Sequence, residues 1–464
     1  MTCLAPLALL LCTVLPQNPG DEKYPTKLSA GEAKKLNSLA QDWFENRLKE
    51  DNSEGRAREA AQTKFNRARD AFYKEWELRN QKHDVLAQMG DLQAIFARVF
   101  PYPSRPATGE PESVRPKDGT PAHTVVVPRS YRNDTPSRLV VALPSRMPTG
   151  DRWVAPADFF KEAWRGSKLD TESVFLMPAG REGGDYDPVP DLTSEKDLAT
   201  ELDRIVEVMR TLRAGRMGLH LDTNRYILDC GRGSSAFGLR LVTYFPSLFA
   251  GVIVRHPTAI EKPIRLENLT GLPVLIVTSA ETAAAGKAIA DTLNGFAPDA
   301  CKVIEGKGMY PFKDSATEIA DWARNVRRDL FRKKVVLVPN RDELVEGYWV
   351  TLARGEAVSS TTEKNRPQFT VEADRATNRV TVTSVGVSEF RLMLNDVLVD
   401  LDKEVTIVVN GQATSLKRER SLNYVSDLVY RKVDPNFLFV TDYIGEVKAA
   451  PAATGDAEKQ DAPK

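Results

Sequence analysis

The stretch Asp222-Thr-Asn-Arg225-Tyr-Ile-Leu-Asp-Cys-Gly231-Arg-Gly233-Ser-Ser-Ala-Phe-Gly238 carries the signal that decides the fold. Tyr226–Cys230 reads as a strand, Gly231–Ser234 as a tight turn, and the following residues as a helix that runs to Phe245. Glycine supplies the backbone freedom that so sharp a reversal needs. Ser234 and Ser235 stand where serine commonly caps a helix start.

Working outward, the same alternation repeats. Thr124–Val127, Leu139–Leu143 and Val174–Met177 are short β-rich runs. Ser194-x-x-Asp197 opens a helix that points Leu198, Leu202, Ile205, Met209 and Leu212 inward. Strand Gly251–Val254, strand Val274–Val277, helix Ala283–Phe296, strand Cys301–Ile304 and helix Ala316–Leu330 complete the series. Strands that are apolar throughout and alternate with helices imply a parallel sheet covered on both faces. The fold class expected is α/β over 123–335, with a helical segment before it and a small β domain after it.

Residues 28–100 read as helices. Ser29-Ala-Gly-Glu32 is a capping box, followed by Leu36, Leu39, Ala40, Trp43, Phe44 and Leu48 on one side. A second helix carries Ala57, Ala61, Phe65, Ala68, Phe72 and Trp76 as one apolar stripe. A third is expected from about Asp84 to Phe100. Six prolines between 101 and 122 mark an extended linker. Beyond Arg332 the alternation stops, and 336–447 reads as strands joined by short turns, with Asn410-Gly411 as a hairpin signal. The polar stretch 448–464 cannot bury a core.

The chain has 464 residues, and its 64 basic and 64 acidic side chains cancel. No global field favours nucleic acid. The apolar run Leu4–Leu15 is too short to span a membrane but has the length of a secretory signal. We take residues 1–20 as a signal peptide and expect a secreted or periplasmic protein without a transmembrane span. Of the four cysteines, Cys230 and Cys301 lie beyond that segment and read as two buried thiols. No CxxC occurs, so structural zinc is unsupported.

The Gly231–Gly238 segment resembles the nucleophile elbow of the α/β-hydrolase superfamily, in particular secreted esterases and prolyl-oligopeptidase-like hydrolases. There a Gly-x-Ser-x-Gly-Gly turn lifts the serine to the top of the sheet. Asp222 and Arg225 before the strand and Phe-Pro-Ser-Leu-Phe-Ala at 245–250 fit the same pattern, and the resemblance covers about 123–335. It implies a Ser–acid–His triad, but the positions that match it carry other residues. Setting Gly231 on the first motif glycine puts Gly233 in the serine slot, and glycine has no nucleophile to offer. The acid slot in Thr278-Ser-Ala-Glu-Thr282 falls on Thr282, with Glu281 one residue away. The histidine slot in Glu305-Gly-Lys-Gly308-Met309 falls on Met309.

A second argument does not depend on alignment. In this fold the histidine follows the serine and the acid. The only histidines are His83, His123, His220 and His256, so none lies beyond 256. The loop after Leu143, where the family often supplies oxyanion-hole glycines, reads Pro144-Ser-Arg-Met-Pro-Thr-Gly150.

Weaker candidates remain. Ser234 or Ser235 could be a displaced nucleophile, although helix capping explains both. His256 follows a strand at the carboxyl edge of the sheet, where ligands bind in this class. The loop Arg181-Glu-Gly-Gly-Asp-Tyr-Asp187 could touch a ligand, and no metal site is expected from it. Arg146, Arg181, Arg232 and Arg255 all lie just past strand ends and could receive an anion if they converge. No cofactor is implied. The reading is a secreted, non-catalytic α/β-hydrolase homologue that acts by binding a ligand or protein not identified by the sequence. The alternatives are an active serine ester or peptide hydrolase with a displaced nucleophile, and a structural or interaction module.

Overall fold

The computed structural model describes residues 24–116, 121–143, 145–146, 154–179, 186–187, 189, 194–258, 265–339, 346–355 and 367–447. The N-terminal run 1–20, the loop residue Arg181 and the tail 448–464 lie outside them.

Three helices come first: α1 (Ala30–Asp51), α2 (Gly55–His83) and α3 (Met89–Phe96). The Ser29/Glu32 capping box forms as the sequence indicates. The third helix is shorter than expected. A left-handed Asp84 and a single 3₁₀ turn at Val85–Ala87 precede it.

Then follow β1 (Pro111–Val114), β2 (His123–Val126), β3 (Ser137–Ala142), α4 (Pro156–Ala163), α5 (Lys168–Glu172), β4 (Ser173–Pro178), α6 (Glu195–Gly218), β5 (Leu221–Arg232), α7 (Gly233–Tyr244), β6 (Gly251–Pro257), β7 (Val274–Thr278), α8 (Ala283–Phe296), β8 (Cys301–Glu305) and α9 (Ala316–Asn325). The eight strands form one sheet in the order β1-β2-β4-β3-β5-β6-β7-β8. β1 and β2 run antiparallel to their neighbours, and the rest are parallel. The proline-rich stretch 101–122, expected as linker alone, thus supplies the edge strand. Helix α9 ends at Asn325, five residues before the expected Leu330.

Strand alternation explains the two covering layers. Leu139 and Val141 of β3 face a core with α6, α7 and α8, including Val208, Phe237 and Ile289. Val140 and Ala142 face the opposite core with α4, α5 and α9, including Phe160, Leu169 and Ile319. A sheet buried on both faces has no polar face, and β4, β6 and β7 are buried at every residue. This is an α/β-hydrolase-like fold.

The C-terminal part holds β9 (Lys334–Leu337), β10 (Glu346–Gly347), β11 (Val350–Gly355), β12 (Gln368–Asp374), β13 (Arg379–Val385), β14 (Val387–Leu394), β15 (Val405–Val409), β16 (Gln412–Leu416), α10 (Leu422–Lys432) and β17 (Thr441–Glu446). They make two sheets, β16-β15-β13-β12-β9 and β10-β11-β14-β17. β9 joins the first of these rather than the parallel sheet. Two features differ from the expected strands joined by short turns: β13 pairs β15 in parallel, and α10 interrupts the strands. Asn410 and Gly411 both take positive φ in the β15–β16 hairpin, the geometry that favours this dipeptide.

The helical segment does not stand alone. Leu36, Phe44, Phe72 and Trp76 share one continuous core with Phe390, Val425, Val429 and Leu438 of the C-terminal part. Arg47 reaches Asp427 of α10 at 3.0 Å and stacks on Tyr430. The parallel sheet is tied to the same unit by a buried ion pair, Arg328 Nη1 to Asp434 Oδ2 at 2.8 Å. Thr223 of β5 also donates to Asp434, at 2.6 Å.

Candidate functional site

The elbow sits between β5 and α7, at the carboxyl end of a central strand. Its apex is Arg232, at φ +47° and ψ −124°, and α7 starts at the next residue. The sequence reading set Gly233 in the serine slot; the residue in the strained strand-to-helix conformation is Arg232, one position earlier. Two close approaches explain the flanking glycines. A Cβ on Gly231 would lie 2.7 Å from the Arg255 carbonyl oxygen and 3.0 Å from the Tyr310 ring. A Cβ on Gly233 would collide with the Asp187 carboxylate.

Both serines are used by the backbone. Ser234 is fully buried; its Oγ accepts from Gly231 N–H at 3.0 Å and lies 2.9 Å from the Gly231 carbonyl, to which it can donate. Ser235 Oγ donates to the Arg232 carbonyl at 2.6 Å and accepts from Thr258 N–H at 3.3 Å. These bonds fix the first turn of α7 to its own elbow and to the end of β6.

Beneath the apex lies a buried polar cluster that the sequence reading did not identify. Asp229 of β5 accepts from Arg255 Nε at 2.9 Å and from Trp164 Nε1 at 2.8 Å. Arg255 also donates to the Pro311 carbonyl at 2.7 Å. Its guanidinium stacks on Trp164, 4.8 Å from the ring centroid. Burial pushes the Asp229 carboxyl up, against the lowering effect of Arg255. The sequence signal available was an acid inside an otherwise apolar strand. Arg255 therefore belongs to the core and is not an open anion receiver.

The loops after β6, β7 and β8 meet beside the elbow. His256 takes φ +50°, and its Nε2 is 3.6 Å from Glu281 Oε2. Its ring lies 6.1 Å from Tyr310 and 6.3 Å from Phe312. Burial and then the charge of Arg232 hold the His256 imidazole below its ordinary value. Among the described residues, the Tyr310 hydroxyl is buried without a hydrogen-bond partner, as are Arg255 Nη2 and Arg232 Nη1. Burial pushes the Tyr310 phenol far up.

Thr282 and Met309 follow β7 and β8, on the loops that the sequence assigned to them. Thr282 Oγ1 accepts from Ser279 N–H at 3.0 Å and caps a 3₁₀ turn. The Met309 side chain is 78% exposed. Among the described residues, no hydrogen bond or ion pair joins either one to the elbow. Arg146 faces Asp187, Nε to Oδ2 at 3.6 Å. The four arginines thus play separate parts: Arg255 is in the core, Arg146 is beside Asp187, Arg232 is at the apex, and Arg181 lies outside the described residues. Cys230 and Cys301 are buried free thiols. Among the described residues no cluster of three or more His, Cys, Asp or Glu is placed to hold a metal. No described helix is long and apolar enough to cross a membrane.

Solved structures similar to this chain include a thermostable esterase, at 16% identity and TM-score 0.34, covering 48% of this chain and 64% of that one. An S-formylglutathione hydrolase from Staphylococcus aureus matches at 10% identity and TM-score 0.34, over 48% of this chain and 98% of that one. A carboxylesterase from Bacillus cereus matches at 14% identity and TM-score 0.33, over 45% and 95%. The chain spans less than two thirds of the esterase's length. No protein-family model matches the chain, and no curated protein sequence matches it.

Proposed function

We propose that this chain is a non-catalytic member of the α/β-hydrolase fold that acts by binding. The observation that carries the reading is Arg232 at the apex of the elbow. A guanidinium is fully protonated at any accessible pH and has no lone pair for acyl transfer. The neighbouring hydroxyls of Ser234 and Ser235 are at most 2% exposed and bonded to backbone. The space over Gly233 is filled by the protein's own carboxylate, Asp187. In a hydrolase of this fold the amide after the nucleophile helps form the oxyanion hole, so an acidic side chain there opposes the charge that acyl transfer develops. The slots after β7 and β8 carry Thr282 and Met309, neither of which is a base.

Binding would then use the surface at the carboxyl ends of β5–β8, where Arg232, His256 and Glu281 gather. Secretion belongs to the same proposal and rests on the leucine-rich run Leu4–Leu15. Expression with the native N-terminus, fractionation and N-terminal sequencing test it. The catalytic question is tested by fluorophosphonate labelling with a p-nitrophenyl ester assay. No labelling and no turnover above background are expected. A labelled Ser234 or Ser235 would establish instead a hydrolase with a displaced nucleophile.

A further inference from the structure

A cavity of about 540 Å³ opens at the other end of the sheet from the elbow. It lies at the amino ends of β3, β4 and β5. Its walls carry Arg132, Arg138, Arg225, Arg324 and Arg327 against one acid, Glu172. Arg225 and Arg232 are on the same strand, seven residues apart, so about 23 Å separates this cavity from the apex.

Most of these cations have a carboxylate at hand. Arg132 pairs with Asp134 at 2.8 Å, Arg324 with Glu172 at 3.0 Å, and Arg225 with Asp222 at 3.1 Å. Arg327 approaches Asp222 at 3.9 Å. Arg138 is different. It is only 6% exposed, and its one hydrogen bond among the described residues runs from Nη2 to the Arg324 carbonyl at 3.1 Å. Among the described residues its Nε is buried with no partner, and no carboxylate lies within ion-pair distance of it. A buried cation without a counterion is costly, and so is an unsatisfied donor. Burial, with the nearby charges of Arg225 and Arg324, lowers Arg138 to about 10. Glu172 and Asp222 act in the opposite direction.

We propose that this cavity is a binding site for a small, multiply charged oxyanion of the phosphate type. A planar guanidinium fork matches the oxygens of such an anion and holds it with charge-assisted hydrogen bonds. The anion supplies Arg138 with its missing counterion, and the flanking Arg225 and Arg324 swing part of their hydrogen bonding onto it. The cavity exceeds the volume of a single phosphate, so the site accepts a second phosphoryl group or a small organic residue. Among the described residues no aromatic side chain lines it, which disfavours recognition of a stacked base.

Calorimetric titration of the full chain with inorganic phosphate, pyrophosphate and glycerol phosphate tests the proposal. One saturable site is expected, tightest for the probe with most charge and weakened by added salt. Arg138→Gln should weaken it about tenfold or more, the scale of one charge-assisted contact. Arg225→Gln, on a side chain one-third exposed, should weaken it several-fold and covers the case in which Arg138→Gln fails to fold. Absence of saturable binding for all three probes overturns the proposal. So does unchanged affinity in a folded Arg138→Gln chain or in Arg225→Gln, or an equal loss in Arg56→Gln on the exposed start of α2. None of these results depends on whether the elbow is catalytic.

Discussion

Asp229 and Arg255 face each other at 2.9 Å across β5 and β6, and neither side chain reaches solvent. The pair sits directly under the elbow, and Trp164 and the Pro311 carbonyl complete it. An ion pair taken wholly out of water repays its desolvation only when both partners stay. Arg255→Met should therefore cost about 3–5 kcal/mol, because it strands the Asp229 carboxylate. The acid is already pushed up by burial, and losing Arg255 pushes it further. A folded carboxyl raised above its unfolded value weakens the fold as pH rises through that window. The Arg255→Met chain should thus recover part of its deficit in acid, and Asp229→Leu/Arg255→Met should recover most of it at neutral pH. Urea melts across pH check this; a deficit that does not change with pH would contradict it.

Arg232 gives a prediction of the opposite sign. A non-glycine residue at φ +47°, ψ −124° carries strain of about 1–3 kcal/mol. Glycine removes that strain and loses about 0.5–1 kcal/mol through unfolded-state entropy. Arg232→Gly should leave the chain more stable, by about 1 kcal/mol. A loss of stability in denaturant melts would mean that the guanidinium holds contacts worth more than the strain.

His220 and His256 set a pH dependence. His220 is buried, donates from Nδ1 to the Asn133 carbonyl at 3.2 Å, and stacks on Tyr102 at 4.4 Å. Burial lowers both imidazoles from 6.5, and Arg232 adds to the effect at His256. The unfolded chain then binds protons that the folded chain resists. Stability held above 6.5 is lost as pH falls below it. Melting temperature should drop between neutral and mildly acid pH, and His220→Gln should drop less than the parent. Equal drops would place the sensitivity elsewhere.

The sheet was legible because its signal is local and redundant. Apolar strands and helix starts repeat several times, and Ala283–Phe296 falls where the sequence puts it. The elbow register was not legible. Gly231 and Gly233 flank Arg232 symmetrically in sequence, and only the backbone shows which residue takes the strained position. Asp187 comes from a loop over forty residues earlier, and nothing in its composition points to Gly233. The shared core of helices and C-terminal sheets was also hidden. An amphipathic stripe such as Phe65–Trp76 says that an apolar partner exists, not which one. Helix α10 did leave a trace in the spacing of Leu422, Val425 and Val429, set among residues that otherwise read as strands.

The register of the elbow makes the last prediction. If Arg232 holds the nucleophile position, serine must be restored there and not at 233. In Gly233→Ser the new Cβ meets the Asp187 carboxylate, so the side chain is forced aside and the chain loses about 1–3 kcal/mol. No fluorophosphonate adduct should form. Arg232→Ser inherits a backbone already strained and lifts its hydroxyl to the top of the sheet. It also removes the cation that depresses His256. His256 already faces Glu281 at 3.6 Å, a base with an acid behind it. Arg232→Ser should therefore label weakly, above the parent chain, and the added change His256→Gln should abolish the label. Peptide mapping of the adduct locates it. Labelling of Gly233→Ser in place of Arg232→Ser would return the apex to Gly233. A silent Arg232→Ser chain would show that His256 cannot reach the apex.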